Sequence, residues 1–175
     1  MDTKENLQSK ISAAKDFHFI IPVPPESINE TVALGTHYSD VRLVKRKWQH
    51  ITISHLNAQR LDNPDPYAGF PCEKKVKATF TFYFKFDRAR DEDNYSLSAK
   101  GILDGLVEMG VLFADSSPFV TFGGVILKVD HDRPRCEVSL EMLDENIDFK
   151  KWNKFDTTNP NGDEALKILD GLGNN

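Results

Sequence analysis

Sulfur is scarce in this chain: the 175 residues include two cysteines and three methionines. Cys72 and Cys136 lie 64 positions apart, with no CxxC pair and no histidine at ligand spacing. A disulfide framework and a zinc finger are both excluded, and a reducing cytoplasm is the natural setting. Long apolar runs are also missing. A stretch such as Phe17 to Pro25 falls far short of the roughly 20 residues that cross a bilayer, so no membrane partner is expected. Residues 1–15 are polar with mixed charge and read as neither a signal peptide nor an anchor. No internal repeat, low-complexity block, Ser/His/Asp arrangement or Cys/His arrangement is present, and no nucleotide cofactor is expected.

Net positive charge is lacking as well: the formal sum is −5. Its distribution matters more than its total. Residues 41–90 carry +7 and the remainder −12. A polyanion senses charge within about 8 Å at physiological salt, so the acidic average does not exclude nucleic acid. What the chain does have is core material, with a hydrophobic fraction of 39% and eighteen aromatic residues, twelve of them Phe. One compact domain is the expectation at this length.

The periodicities place the elements. Thr3–Lys15 suggests a weak polar helix and Phe17–Val23 a strand, closed by Pro22, Pro24 and Pro25. From Ser39 to Arg60 the apolar positions Val41, Val44, Trp48, Ile51 and His55 keep a helical spacing, with Arg42, Lys45 and Arg46 on the other side. Lys75–Phe86 alternates strictly: Val76, Ala78, Phe80, Phe82, Phe84 and Phe86 share one face. A helix over Tyr95–Glu108 ends at Gly110. Phe119–Val129 and Cys136–Leu143 read as a hairpin around His131–Pro134, and Gly123-Gly124 as a bulge or a close backbone approach. A short helix is expected over Asp163–Leu169. The order β-α-β-α-β-β predicts an α+β fold of two layers, helices on one face of a mainly antiparallel or mixed sheet.

The densest acidic cluster is Asp91-Glu92-Asp93-Asn94, directly after the Phe-rich strand. In extended backbone Asp91 and Asp93 project to one side, where both carboxylates reach one hard cation. Capping of the following helix by Asp93 or Asn94 is the alternative. Lys100 is spaced for an i,i+4 ion pair with Asp104. Arg42, Lys45, Arg46 and Lys47 form either a solvated helix face or a row of phosphate contacts. Asp130-His131-Asp132 reads as a polar turn or, less simply, as metal ligands. The remaining histidines, His18, His37, His50 and His55, show no ligand spacing.

The wider constellation runs Arg88-Ala89-Arg90-Asp91-Glu92-Asp93-Asn94, then Lys100, Asp104-Gly105-Leu106, Gly110 and Ala114-Asp115-Ser116. It resembles the RusA family of Holliday junction resolvases, whose core reads Arg, Asp-x-Asp-Asn, Lys, Asp-Ala-Leu, Gly, Asp-Asp. Ile21-Pro22-Val23-Pro24-Pro25-Glu26-Ser27-Ile28-Asn29 resembles that family's Pro-x-Pro-Pro-Ser-x-Asn opening. The resemblance covers residues 17–143, leaving 1–16 as an N-terminal extension and 144–175 as an acidic tail. There are two departures. Five residues rather than two separate Asn94 from Lys100, and Ala114 stands where the family often has an aspartate.

The resemblance implies a RusA-like endonuclease domain, phage or prophage in type, that resolves four-way DNA in recombination and repair. It makes Asp91, Asp93 and Asp115 metal-binding catalytic residues for Mg²⁺, with Mn²⁺ as a substitute, and Lys100 the catalytic lysine. Phosphate contacts fall to Arg42, Lys45, Arg46, Lys47, Lys74, Lys75, Lys77, Arg88 and Arg90. It also implies a homodimer. Geometry adds that a straight helix from Tyr95 to Gly110 outruns the five-residue return to Asp115, so Asp115 is expected to serve the partner's site. A catalytically impaired relative that binds branched DNA without resolving it is the competing expectation, because Ala114 removes one carboxylate and three residues are added before Lys100.

Overall fold

The structure is a computed structural model that describes residues 17–25, 27, 38–67, 70–71 and 73–149. The helices expected over Thr3–Lys15 and Asp163–Leu169 lie outside them. The chain divides into two compact units, Met1–Glu145 and Asn146–Asn175. The first holds β1 (Phe17–Ile21), α1 (Tyr38–Asp62), β2 (Lys74–Phe84), α2 (Ser96–Glu108), β3 (Val120–Val129) and nearly all of β4 (Arg135–Asn146), with short 3₁₀ turns at Asp65–Tyr67 and Glu92–Tyr95. No helix among the described residues is long and apolar enough to cross a membrane.

Among the described residues four strands form one mixed sheet in the order β1-β4-β2-β3. β1 pairs antiparallel with β4, Phe17 opposite Leu140 and Ile21 opposite Cys136. β2 pairs parallel with β3, Val76 opposite Val120 and Phe84 opposite Val129. A parallel pair needs a crossover, and α2 supplies it. The hairpin expected of β3 and β4 is therefore not formed, because β2 lies between them. Burial explains the placement. Every second side chain of β2 from Val76 to Phe84 is buried, and a strand that apolar gains most from neighbours on both edges. The link from β3 to β4 crosses the end of β2 instead, where Asp130 N donates to Phe84 O and His131 Nδ1 lies 2.6 Å from Lys85 O.

Strand β2 stops at Phe84, so Phe86, expected on the packed face, is 55% exposed. β3 carries the expected irregularity. Its register shifts between Ala78 and Phe80, and Gly124 takes φ +99°. A Cβ at Gly123 would meet Ala78 O at 2.9 Å.

Both helices lie on one face of the sheet over a single core of Phe17, Phe19, Ile21, Val44, Trp48, Leu56, Phe80, Phe82, Ile102, Leu106 and Leu140. Along α1, Val44 and Trp48 are buried as the spacing predicts, while Ile51 and His55 are half-buried and Thr52 and Leu56 complete the inner stripe. The Thr52 hydroxyl is satisfied by Trp48 O at 2.7 Å. α2 is buried nearly all round, against the sheet through Ile102 and Leu106 and against α1 through Gly101 and Gly105. These two glycines, one turn apart, bring the helices together. A Cβ at Gly101 would sit 2.8 Å from Trp48 Cβ, and one at Gly105 the same distance from Thr52 Cβ.

Helix α2 ends in a Schellman motif. Gly110 at φ +70° donates to Val107 O and Val111 N to Leu106 O at 2.9 Å. Buried Val111 and Leu112 then turn the chain back along the helix. We expect Gly101→Ala to destabilise the protein by about 1–3 kcal/mol through overpacking, despite the gain of up to about 1 kcal/mol in helix propensity. Gly110→Ala meets no atom within 4 Å and costs only the left-handed backbone, about 1–2 kcal/mol. Chemical denaturation of the two variants checks the mechanisms: Leu substituted at Gly101 must cost more than Ala, whereas at Gly110 the two must cost alike.

Candidate functional site

The turn after β2 is built on two anchors. Tyr95 is buried, with ring centroids 6.1 Å from Phe82 and 5.2 Å from Phe84. Arg90 lays its guanidinium over the Phe84 ring, 4.2 Å from the centroid, and donates through one nitrogen to Phe86 O at 2.9 Å and Arg88 O at 3.1 Å. Between them stand Asp91, Glu92 and Asp93, all exposed. Neither Asp91 nor Asp93 enters a side-chain hydrogen bond or ion pair among the described residues. Asp91 holds the N-cap position of the 3₁₀ turn without a side-chain capping bond, and Tyr95 precedes α2 in the same way. The capping role is therefore not taken. The extended backbone expected through Asp93 is also replaced: only Asp91 is extended, at φ −100° and ψ 132°, and a 3₁₀ turn begins at Glu92. A small polar cleft of about 240 Å³ opens here, lined by Ser27, Arg88, Arg90, Asp91, Asn94 and Tyr95. Ser27 belongs to the Pro-rich segment after β1, so the cleft joins the two stretches that carry the sequence resemblance.

The returning segment puts Asp115 beside α2. Its Oδ2 pairs with Lys100 Nζ. Lys100 is also 3.9 Å from Asp104 Oδ1, the expected i,i+4 partner, and the other oxygen of Asp104 takes Lys45 Nζ at 2.6 Å. Lys45, Asp104, Lys100 and Asp115 thus form one alternating row of charge from α1 across α2. Within the chain the return brings Asp115 back to Lys100. Among the described residues no group of three or more His, Cys, Asp or Glu side chains is placed to hold a metal ion, so Asp91 and Asp93 are not gathered with Asp115.

The cations divide into two sets. Arg42, Arg46, Lys47 and Arg88 are exposed, Arg88 resting 5.6 Å from the Phe86 ring centroid. Five more are engaged by side chains or backbone of the fold. Lys45 is drawn to Asp104, Arg90 to the backbone, and the β2 lysines to β4: Lys74 to Asp144 at 3.3 Å, Lys75 to Glu145 at 3.2 Å, Lys77 to Glu141 at 3.8 Å. Sequence reasoning missed these pairings because they depend on strand order. It also missed Tyr95 as an anchor; the signal was an aromatic residue next to Asn94 at the start of an apolar helix.

Asp130 closes the β3–β4 link. Its Oδ1 accepts from the amides of Asp132 and Arg133, and Oδ2 from Arg135 at 2.6 Å, so the acidic triplet is a turn cap. Arg135 also donates to Glu137 at 2.6 Å and lies 3.7 Å from the Tyr83 ring centroid. The Arg135 hydrogen bond, with help from the Arg133 and Asp132 amides, holds the Asp130 carboxyl below its ordinary value of 3.8. A depressed carboxyl stabilises the fold above its unfolded pKa, and that contribution is lost as pH falls through the folded one. We expect the Asp130 carboxyl carbon, followed by NMR, to titrate below 3.8 and to move upward in Arg135→Gln. An unmoved midpoint would remove Arg135 as the cause.

No protein-family model matches this chain, and no curated protein matches it.

Proposed function

We propose that this protein is a Mg²⁺-dependent, structure-selective endonuclease of RusA-like fold that resolves four-way DNA junctions. The observation that carries the reading is the turn after β2, where Asp91 and Asp93 present carboxylates that neither cap a helix nor enter an ion pair. Two exposed carboxylates on one turn, that of Asp91 lining the polar cleft, suit Mg²⁺, which takes oxygen ligands and keeps several waters. Bound there, the ion would supply Lewis-acid polarisation of a phosphate and a more acidic water. In this reading Arg88, which lines the same cleft as Asp91, would donate to a phosphate oxygen, and Lys100 would stabilise charge on the phosphate once Asp115 turns to another partner.

The proposal includes a homodimer in which Asp115 of a second copy completes the carboxylate set, as the family resemblance implies. The exposed apolar side chains Phe113, Phe122, Ile126 and Val129 on and beside edge strand β3 support self-association. Arg42, Arg46 and Lys47 supply sequence-independent phosphate contacts. The buried free thiol of Cys136, 3.1 Å from Val23 O, suits a reducing cytoplasm. A second reading, binding of branched DNA without cleavage, is favoured by one observation: Asp115 is held by Lys100, and Ala114 offers no replacement carboxylate.

Cleavage of a synthetic four-way junction, beside duplex and fork controls, decides between the two. We expect Asp93→Asn to lower Mg²⁺-dependent cleavage by about 10²–10³-fold while junction affinity is retained; wild-type cutting would remove Asp93 from the site. Junction affinity measured against salt concentration tests the basic helix separately. Arg42→Ala and Arg46→Ala are each expected to flatten the log–log slope by about 0.9. Lys45→Ala should leave it within error, since that amine is already paired with Asp104. Equal slopes for all three variants would return α1 to a solvated face.

A further inference from the structure

Three lysines at the start of β2 face three acids near the end of β4. Lys77 meets Glu141 at 3.8 Å, Lys74 meets Asp144 at 3.3 Å and Lys75 meets Glu145 at 3.2 Å. Side-chain parity makes this systematic. Lys75 and Lys77 project from one face of the sheet with Glu141 and Glu145, while Lys74 and Asp144 project from the other. We propose that the acidic end of β4 is an internal competitor for DNA: its carboxylates occupy the β2 lysines where backbone phosphates would otherwise lie. The inference rests on the DNA-binding function proposed above and defines which part of the basic surface is available to the nucleic acid.

The chemistry suits competition rather than permanent closure. A carboxylate and a phosphate oxygen are both anionic acceptors for an ammonium group, so one substitutes for the other with no change of fold. The three acids are well solvated: side-chain exposure is 58% for Glu141, 65% for Glu145 and complete for Asp144. Ion pairs this exposed are weak and salt-sensitive, so they reduce DNA affinity in a graded way. The charge pattern agrees. Residues 72–90 carry +4 in sequence, yet three of those cations are matched one for one across the strand pair. Of the cations in residues 72–90, those of the turn bearing Asp91 do not face β4, so the footprint within this stretch is drawn toward the candidate site.

The test uses the full chain and fluorescence anisotropy with a labelled linear duplex and a four-way junction, across a salt series. In Glu141→Gln/Asp144→Asn/Glu145→Gln the carboxylates become amides of nearly equal size. We expect duplex affinity to rise about tenfold and the log–log salt slope to steepen by roughly 2–3, at about 0.9 for each further phosphate neutralised. An equal change of net charge at other exposed acids, Asp62→Asn/Asp65→Asn/Asp132→Asn, should leave the slope unchanged. Lys74→Gln/Lys75→Gln/Lys77→Gln should scarcely move the slope in the wild-type background but erase the gain in the amide background. If the triple amide variant does not fold, Glu145→Gln alone should steepen the slope by about 0.9. Wild-type binding that is unaltered by the amides, or that loses roughly 2–3 units of slope with the lysines alone, overturns the competition and leaves the DNA reading standing. No binding by either protein overturns the DNA reading and the competition with it.

Discussion

The contact between α1 and α2 is the constraint on which the rest of the molecule rests. Gly101 and Gly105 remove the side chains that would hold the two helices apart, so backbone meets Trp48 and Thr52 directly. That approach lets one layer of helices cover a four-stranded sheet from a single face, with Trp48 and Ile102 in the same core. It also sets the electrostatics. Only at this separation does Lys45 on α1 reach Asp104 on α2, and Asp104 also approaches Lys100, the partner of Asp115. Helix packing and the ordering of the charged row are therefore one event.

A second layer of organisation comes from the end of β2. Its last buried rings, Phe82 and Phe84, extend the core upward into Tyr95 and Arg90. The acidic turn thus sits on a rigid floor although its own side chains are exposed. Exposure and rigidity rarely coincide on loops, and their coincidence here presents Asp91 and Asp93 to solvent at a fixed place. The basic residues follow the same logic of placement. Residues one position apart in sequence have different environments: Arg46 is exposed while Lys45, on the flank of the stripe that begins at Val44, is half-buried against Asp104.

Much of this was legible in the sequence. The alternation from Val76 to Phe84, the helical spacing through Val44 and Trp48, and the glycine at position 110 each describe how an element presents its own faces, and each element formed. Gly123-Gly124 announced the bulge because the first admits the close approach to Ala78 O and the second the positive φ. Relations between elements were less legible. Proximity in sequence suggested that β3 and β4 pair, yet the burial demand of β2 on both edges separated them. Phe86 continued the alternation on paper after the strand itself had ended. The partners of Lys74, Lys75 and Lys77 lie about 65–70 residues away, beyond the reach of any local pattern. Around the acidic cluster, residue types pointed to cation chemistry, but the 3₁₀ backbone and the Arg90 and Tyr95 anchors required the fold.

Strand order also shapes how the molecule comes into being. Among the described strands β1 pairs with β4 alone, and that pairing joins Phe17 to Leu140 across more than 100 residues of chain. The helices, β2 and β3 can assemble through shorter loops, since β2, α2 and β3 form one continuous crossover unit. β1 must wait for the last strand, which also has to enter beside β2 rather than add to the outer edge of β3. Pairing of strands so distant in the chain raises the mean sequence separation of native contacts and slows folding. During that interval Phe17, Phe19 and Ile21 remain uncovered and available to other chains. Folding is thus most exposed to error at β1, among the last of the described strands to find its place.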